Sequence, residues 1–286
     1  MSKKTVIVTG VSGFIGSNLL AYLLKKKIDA IGYYRNYSNR IKALKINNRV
    51  IKVNSYLDIP EGNNYVIIHL AQNSNAKNTQ VDRQRTKKSY ELTQALVKKK
   101  FSHYVFVSSA AIYSDHNNFP INEKAINLSN SNYAKMKLRH ENFFDNKKST
   151  LLRITNVYGR YMNKGNIFDD IISQMPCNDV VKIKNPDVVR EFLHIDDLCC
   201  AIFLICKKPI YGTYNVGSGK GLSIEELIRL IAKNYKSNSL KIISSEKEKK
   251  NSIIILNSRK IMKKLNWKPI VKIEKGIKKL ITTGEY

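Results

Sequence analysis

The sequence predicts an α/β fold, a doubly wound parallel sheet with a smaller C-terminal lobe. Three observations carry that expectation. Short apolar runs alternate with segments of helical period, a glycine-rich turn joins the first run to the first helix, and 286 residues suffice to bury a sizeable core. Strands are expected at Thr5 to Val8, Ala30 to Tyr34, Val50 to Val53, Val66 to Leu70, Tyr104 to Val107 and Thr150 to Ile154, with helices between most of them. Such alternation implies parallel strands covered on both faces. Residues 114–132, polar and Asn-rich with Pro120, are expected to form a loop at the mouth of a site. Residues 159–189 carry Gly, Asn and Pro punctuation and are expected to leave the sheet. Asp196 to Ile205 then returns as a helix, and Gly212 to Val216 as a last strand. Ser223-Ile224-Glu225-Glu226 before an apolar helix is a capping box. No internal repeat or flexible linker is evident.

The glycine turn reads Thr9-Gly10-Val11-Ser12-Gly13-Phe14-Ile15-Gly16. Phe14, Ile15, Leu19, Leu20, Leu23 and Leu24 follow at helical spacing, so the context is strand, turn, helix, as a dinucleotide fingerprint requires. Gly10 permits the tight turn, Gly13 lets the backbone approach a pyrophosphate, and Gly16 lets helix and strand pack closely. The anion would sit on the free N–H groups of the helix, where the dipole favours negative charge. Lys3 and Lys4 before an apolar run resemble a secretion signal, but the three glycines interrupt that run and no small-residue cleavage site follows.

A second constellation lies at Tyr133-Ala134-Lys135-Met136-Lys137. Residues four apart share a helix face, so the Lys137 ammonium can approach the Tyr133 phenol. A free tyrosine titrates at about 10, and bringing it to 7 requires about 4 kcal/mol. A solvated helical pair supplies only about 0.5 kcal/mol, whereas a charge about 4 Å away in a partly buried cleft supplies about 4 kcal/mol. The pair therefore works only in a closed cleft. Ser108-Ser109 ends the apolar run Tyr104 to Val107, where a hydroxyl faces the crevice in which doubly wound sheets bind ligands. Ser109 can orient a substrate oxygen while Tyr133 moves its proton.

With these blocks in order, the chain resembles the extended short-chain dehydrogenase/reductase family of NAD(P)-dependent nucleotide-sugar epimerases, dehydratases and reductases. The resemblance also rests on His69-Leu70-Ala71-Gln72, Phe106-Val107-Ser108-Ser109-Ala110-Ala111-Ile112-Tyr113, Leu152-Arg153-Ile154-Thr155-Asn156-Val157-Tyr158-Gly159, Arg190-Glu191-Phe192-Leu193-His194-Ile195-Asp196-Asp197 and Tyr214-Asn215-Val216-Gly217. It implies a Rossmann domain of residues 1–158 plus 190–216 and a substrate-binding lobe of 159–189 plus 217–286. By that likeness Ser109, Tyr133 and Lys137 take the catalytic places. Gly10, Gly13, Phe14, Ile15, Gly16, Arg35, Leu70, Ala71, Ser108, Ile154 and Val157, with Tyr133 and Lys137, surround the cofactor. Ser109, Asn156 and Arg190 face the substrate. The family's second diphosphate-binding arginine appears replaced by a lysine among Lys247 to Lys250. Homodimers pairing through helices near Gln84 to Lys98 and Tyr133 to Phe144 are also implied.

Composition limits the alternatives. The formal net charge is +28, and a basic surface can attract nucleic acid, membranes or phosphorylated substrates. The lysines are scattered, as at Lys25 to Lys27 and Lys98 to Lys100, so nucleic acid is not the expected partner. Cys177, Cys199, Cys200 and Cys206 lack metal spacing and suit a reduced, cytoplasmic protein. His69, His103, His116, His140 and His194 form no metal site by spacing. No apolar run reaches about 18 residues, so no membrane span is expected.

Cofactor choice and reaction are linked. NAD enzymes place Asp or Glu about 20 residues beyond the glycines; here the second strand ends Gly32-Tyr33-Tyr34-Arg35-Asn36. Arg35, helped by Arg40, can bond a 2'-phosphate, so NADP(H) is favoured over NAD(H). Ala110-Ala111 cannot move a proton, where the family's dehydratases carry an acid pair. The expected activity is therefore NADPH-dependent reduction of a 4-keto nucleotide sugar with Tyr133 as general acid. An NAD-dependent nucleotide-sugar 4-epimerase is the alternative, and a noncatalytic dinucleotide- or RNA-binding protein is an alternative of another class.

Overall fold

Seven strands share one sheet, and its central strands carry β-branched or aromatic residues buried on both faces, the pattern of a covered parallel sheet, whereas the edge strand Val50–Lys52 is largely exposed. The structure, a computed structural model, describes residues 4–72, 80–115, 117–175, 180–235, 240–245 and 252–285. The strands are β1 (Thr5–Thr9), β2 (Ala30–Tyr34), β3 (Val50–Lys52), β4 (Gly62–His69), β5 (Phe101–Ser109), β6 (Ser149–Ile154), β7 (Asn156–Tyr158), β8 (Val180–Ile183), β9 (Val189–His194), β10 (Gly212–Val216), β11 (Gly221–Ser223), β12 (Lys241–Ser244) and β13 (Ile253–Ile254). The helices are α1 (Phe14–Lys25), α2 (Asn39–Ala43), α3 (Gln80–Lys98), α4 (Asn132–Glu141), α5 (Ile167–Ile172), α6 (Ile195–Lys207), α7 (Ile224–Ala232), α8 (Arg259–Leu265) and α9 (Ile273–Thr283).

The main sheet runs β10-β6-β5-β4-β1-β2-β3, and every pairing in it is parallel. The chain leaves β1 toward β2 and β3, then crosses back to β4 on the other side of β1. The switch point therefore lies between β1 and β4, and ligands bind at such a point outside the carboxyl ends of the strands. Leu19, Leu20 and Leu23 of α1 and Leu198, Ile202 and Ile205 of α6 cover one face with no exposed surface. On the other face Ile7 and Ile67 pack with Tyr56 and Leu96.

The doubly wound sheet expected from sequence is present, and β2 and β10 have the expected bounds. The strands β4 and β5 start earlier than the apolar pattern indicates. Exposed Asn63 and Asn64 hide the start of β4, and a register shift between Gly62 and Val66 breaks its ladder. Residues 156–158 and 190–194 pair outside the main sheet, with β7 and β11 flanking β9 and β13 also paired to it. Segment 159–189 holds α5 and β8, the latter paired with β12. The Ser223 capping box forms reciprocally, Ser223 Oγ accepting from the Glu226 N–H at 3.1 Å and Glu226 Oε2 from the Ser223 N–H at 2.7 Å.

The described histidines are packing residues. His69 bridges Thr9 Oγ1 at 2.8 Å and Thr93 Oγ1 at 3.0 Å. His103 meets Thr150 Oγ1 at 2.8 Å, and His140 lies between Ser89 Oγ and the Met136 carbonyl. His194 caps α6, whereas His116 lies outside the described residues. Among the described residues no cluster of His, Cys, Asp or Glu could hold a metal. Cys199, Cys200 and Cys206 are free thiols, and Cys177 lies outside the described residues.

Burial holds the His69 imidazole down to about 3 and those of His103 and His140 to about 4, against an ordinary value of about 6.5. Each ring is neutral in the fold and takes a proton only on unfolding. The unfolded chain therefore binds more protons below pH 6.5, so their contribution is complete above that pH and is lost as pH falls toward 4. Urea denaturation between pH 7 and pH 4.5 should show stability falling by about 1.4 kcal/mol per pH unit for each ring that titrates. A flat profile would contradict the buried neutral assignment.

Candidate active site

Two cavities meet at the carboxyl edge of the main sheet. The first, about 430 Å³, is lined by Gly10, Gly13, Phe14, Ile15, Gly16, Leu70, Gln72, Ser108, Ser109, Tyr133, Lys137, Ile154, Asn156 and Val157, with Thr155 and Asn163. The second, about 570 Å³, runs along Ser114, Asp115, Ser129, Asn130 and Ser131 to Arg190 and Ser252. Ser109, Ala111, Ile154, Thr155 and Asn156 border both. The sequence-expected residues therefore converge, with two exceptions. Ala71 lies behind the first cavity with its backbone against Gly10, and Arg35 does not line it.

Gly10 has φ +71°, and a Cβ on it would lie 2.8 Å from the Ala71 backbone. Only glycine satisfies both the left-handed conformation and this approach. A Cβ on Gly16 would stand 2.3 Å from the Gly10 carbonyl oxygen, so turn and helix are in backbone contact. The N-cap of α1 is Gly13 without a side-chain cap, and no acid occupies its first turn. The first N–H groups of α1 thus have no intrahelical acceptor and face the cavity edge, as an anion site requires.

Tyr133 sits in the first turn of α4, whose N-cap Ser131 accepts from the Ala134 N–H at 3.2 Å. It lines the first cavity together with Ser109, whose Oγ accepts from the Ala111 N–H at 3.1 Å. Lys137 lies one turn on, its ammonium 5.7 Å from the Tyr133 ring centroid and 3.3 Å from the Val107 carbonyl it donates to. That ammonium also donates to Gln72 Oε1. Burial lowers Lys137 to about 8, with Glu141 pulling the other way. Burial raises the Tyr133 phenol above its ordinary value, while the nearby Ser109 hydroxyl lowers it. The sequence expectation of a phenol brought down by lysine is therefore corrected in direction, because desolvation outweighs its partners and the ammonium is shared with Gln72 and Val107.

On the substrate side, Asn156 Nδ2 donates to the Glu191 carbonyl at 3.1 Å. Arg190 donates to the Val189 and Ser252 carbonyls at 2.8 and 2.9 Å and to Ser252 Oγ at 2.9 Å. Burial lowers its guanidinium, and Asp115 opposes that shift. Lys247 to Lys250 lie outside the described residues. Sequence reasoning missed Gln72, Asp115 and Ser252. Gln72 closes a block that the sequence did single out, whereas Ser252, more than 60 positions beyond Arg190, has no local signal.

The first cavity also fits a dinucleotide by what it leaves unsatisfied. Ser108 Oγ and Gln72 Nε2 are buried and meet no hydrogen-bond partner among the described residues, and both residues line it. Such atoms cost about 1–3 kcal/mol each unless a ligand meets them. Parallel sheet, uncapped glycine turn and Ser109, Tyr133 and Lys137 together define a dinucleotide-binding oxidoreductase of the extended short-chain type. Residues 6–217 match the NAD dependent epimerase/dehydratase family, and the chain belongs to it. It is similar to the ADP-L-glycero-D-manno-heptose-6-epimerase of Brachyspira hyodysenteriae, 28% identical over 269 residues covering 84% of each chain. It is also similar to the dTDP-4-dehydro-6-deoxyglucose reductase of Escherichia coli, 25% identical over 98% of this chain and 97% of that one. The fold superposes on UDP-glucuronic acid 4-epimerase from Bacillus cereus in complex with UDP-glucuronic acid and NAD, with a TM-score of 0.79, 22% identity and 96% coverage of both chains.

The expectation of NADP(H) is overturned, because solved structures of this fold hold NAD. The contacts of Arg40 agree with that correction. Arg40 donates to the Tyr161 and Met162 carbonyls and to Asn163 Oδ1 at 2.7, 3.3 and 3.0 Å, which spends its guanidinium on the loop after β7. Arg35 is exposed beyond the end of β2.

Replacing Gly16 by alanine pushes a methyl into the Gly10 carbonyl. Calorimetric titration with NAD should then show affinity weakened at least about tenfold, or 1.4 kcal/mol. Unchanged affinity would separate the turn from cofactor binding.

Proposed function

We propose that the protein is an NAD-dependent nucleotide-sugar 4-epimerase. The observation that carries this reading is that Tyr133, Lys137 and Ser109 line one wall of the first cavity, with Ser109 at its border with the second. A sugar carbon placed there has a proton-transfer group on its oxygen and a dinucleotide cradle on its other side. The family match and the NAD-bound 4-epimerase neighbour support it.

In this reading Gly10, Gly13 and the first turn of α1 hold the pyrophosphate, Leu70, Ser108, Ile154 and Val157 border the nicotinamide half, and Lys137 holds the adjoining ribose. Bound NAD supplies a reversible two-electron acceptor that ends each turnover unchanged. Tyr133, in its phenolate form, takes the proton from the sugar hydroxyl and, as the phenol so formed, returns it, while Ser109 fixes the sugar oxygen. Lys137, a buried cation beside the phenol, stabilises the phenolate from which the transfer starts and to which the cycle returns. Asn156 and Arg190 meet the substrate diphosphate, and Arg190 is held for that task by Ser252. Ala111 borders both cavities, and an alanine can neither donate nor accept a proton, which disfavours water elimination at that position. Reduction of a 4-keto nucleotide sugar uses the same three residues and is the second reading, supported by the likeness to the Escherichia coli reductase. We also place a homodimer contact on the exposed faces of α3 and α4. No helix among the described residues is long and apolar enough to cross a membrane.

Incubation with UDP-, dTDP-, CDP- and ADP-hexoses should convert a sugar to its 4-epimer, followed by proton NMR, with no net change in nicotinamide absorbance. Consumption of reduced cofactor with 4-keto sugars, and no conversion of any unoxidised sugar, would replace this reading with the reductase one. Tyr133→Phe should lower kcat by about 100- to 10,000-fold while leaving NAD affinity near that of the parent.

A further inference from the structure

A buried ion pair lies behind the site, on residues that touch neither cavity. Glu141, in the last turn of α4, and Arg153 of β6 are joined at 2.7 Å, with Arg153 Nε also donating to both carboxylate oxygens at 3.1 and 3.3 Å. Their side chains are 6% and 12% exposed. Arg153 Nη1 donates to the Tyr113 hydroxyl at 3.1 Å and to the Glu123 carbonyl at 3.2 Å. The Tyr113 hydroxyl donates in turn to Asn215 Oδ1 at 2.7 Å. Asn215 is fixed by its own N–H to Glu123 Oε1 and by Nδ2 to the Ile121 carbonyl, both at 2.9 Å.

Three separate pieces of chain therefore converge on one guanidinium. Glu141 is two turns beyond Tyr133 and one beyond Lys137 on the same helix. Tyr113 follows the short turn Ala110–Ile112 that begins at Ser109. Glu123 belongs to the loop that walls the second cavity. A buried ion pair is weak evidence for stability, since desolvation offsets its attraction. Its geometry is another matter, because a planar five-donor fork can fix several acceptors at once and a lysine cannot.

We propose that Arg153, through Glu141 and Tyr113, is the positioning residue that sets the distance between the Tyr133 phenol on α4 and the Ser109 hydroxyl on the β5 turn. The proposal deepens the epimerase reading and rests on it for its kinetic consequence, but not for its structural one. Arg153 touches no reacting atom, so its effect falls on the rate of proton transfer and leaves substrate and NAD binding in place. Misplacing reacting groups by about 1 Å costs on the order of 100-fold. The groups facing Lys137 and Tyr133 from all sides are Glu141 and His140 on α4, His69 at the end of β4, Gln72 after it, and Ser109 and the Val107 carbonyl on β5.

The test compares Arg153→Lys, Glu141→Gln and the milder Tyr113→Phe, which keeps the ion pair, with Leu280→Ala, a buried residue of α9 remote from both cavities. Thermal midpoints come first, so that variants are compared with a control of similar instability. The expected result is a kcat lowered about 100-fold in Arg153→Lys and Glu141→Gln and less in Tyr113→Phe. KM and the NAD dissociation constant should stay within about twofold of the parent, and Leu280→Ala should keep its kcat. A readout independent of turnover is 3-fluorotyrosine placed at position 133 and titrated by fluorine NMR. Moving the phenol away from Ser109, whose hydroxyl lowers it, should shift that midpoint up by about one pH unit in the Arg153 and Glu141 variants. An unmoved midpoint in folded variants overturns the proposal, as does a kcat loss matched by Leu280→Ala. If Arg153→Lys and Glu141→Gln fail to fold, Tyr113→Phe decides by the same two readouts. If the parent epimerises no sugar, the functional reading fails while the fluorine titration still decides the positioning role.

Discussion

The approach of two strand ends is the constraint on which the rest of the molecule depends. Gly10, leaving β1, lies with its backbone against Leu70 and Ala71, leaving β4, at a distance that admits no Cβ. Thr9 Oγ1 meets His69 Nδ1 at 2.8 Å and accepts from the Leu70 N–H at 3.3 Å, so the two ends are tied by side chains as well. Because the chain changes direction between these strands, the crevice must open here, and the turn of α1 must deliver its N–H groups beside it. The placement of Ser109 follows one strand over, since β5 pairs with β4 and ends at the same edge. Residues more than 120 positions apart thus meet around one gap because parallel strands carry their carboxyl ends to one side.

Much of this was legible in the sequence where the signal is local. The glycine turn, the strand bounds of β2 and β10 and the Ser223 capping box each depend on residues within a few positions of one another, and each formed as expected. The convergence of Ser109, Tyr133 and Lys137 was legible for a different reason, in that the order of blocks fixes which strand ends adjoin. What was not legible depends on distant partners. Arg35 and Arg40 look alike in sequence, but Arg40 is claimed by carbonyls at 161 and 162, which no local pattern announces. The same holds for β9, whose apolar run suits the main sheet but which pairs instead with β7, β11 and β13. The direction of the Tyr133 shift was misjudged because burial, a tertiary quantity, competes with the charge that the spacing predicts.

The aromatic floor beneath α4 explains how a single cation can be kept there. Phe106 is stacked between His69 and His140 at centroid separations of 6.1 and 6.2 Å, and it lies 4.7 Å from Phe144. The Lys137 ammonium stands 5.9 Å from the Phe106 ring centroid. Both imidazoles are held neutral by burial, and Lys137 pushes each further in that direction. Repulsion is reciprocal, so a proton on either ring would lower the affinity of Lys137 for its own. Ring nitrogens satisfied by Thr9, Thr93 and Ser89 and by the Met136 carbonyl keep both histidines in place while neutral. Among the described residues that line the first cavity, Lys137 is thus the one that carries positive charge, set among neutral donors, acceptors and ring faces with the Glu141 carboxylate behind it.

That arrangement also separates two demands which would otherwise conflict. A proton-transfer site must be dry enough for charge to matter, yet a dry site disfavours every ionised group within it. Here the cost falls on Lys137, brought down to about 8 but still largely protonated near neutrality, and on Tyr133, whose phenol is raised. A raised phenol is the stronger base once deprotonated, and a lysine with a lowered value is the more responsive to a negative charge appearing beside it. Transfer of a proton to and from a sugar oxygen creates and removes such a charge. The ammonium is therefore worth most while Tyr133 is a phenolate, the form that takes the sugar proton, and less once the phenol has formed, so the stabilisation follows the charge through the cycle.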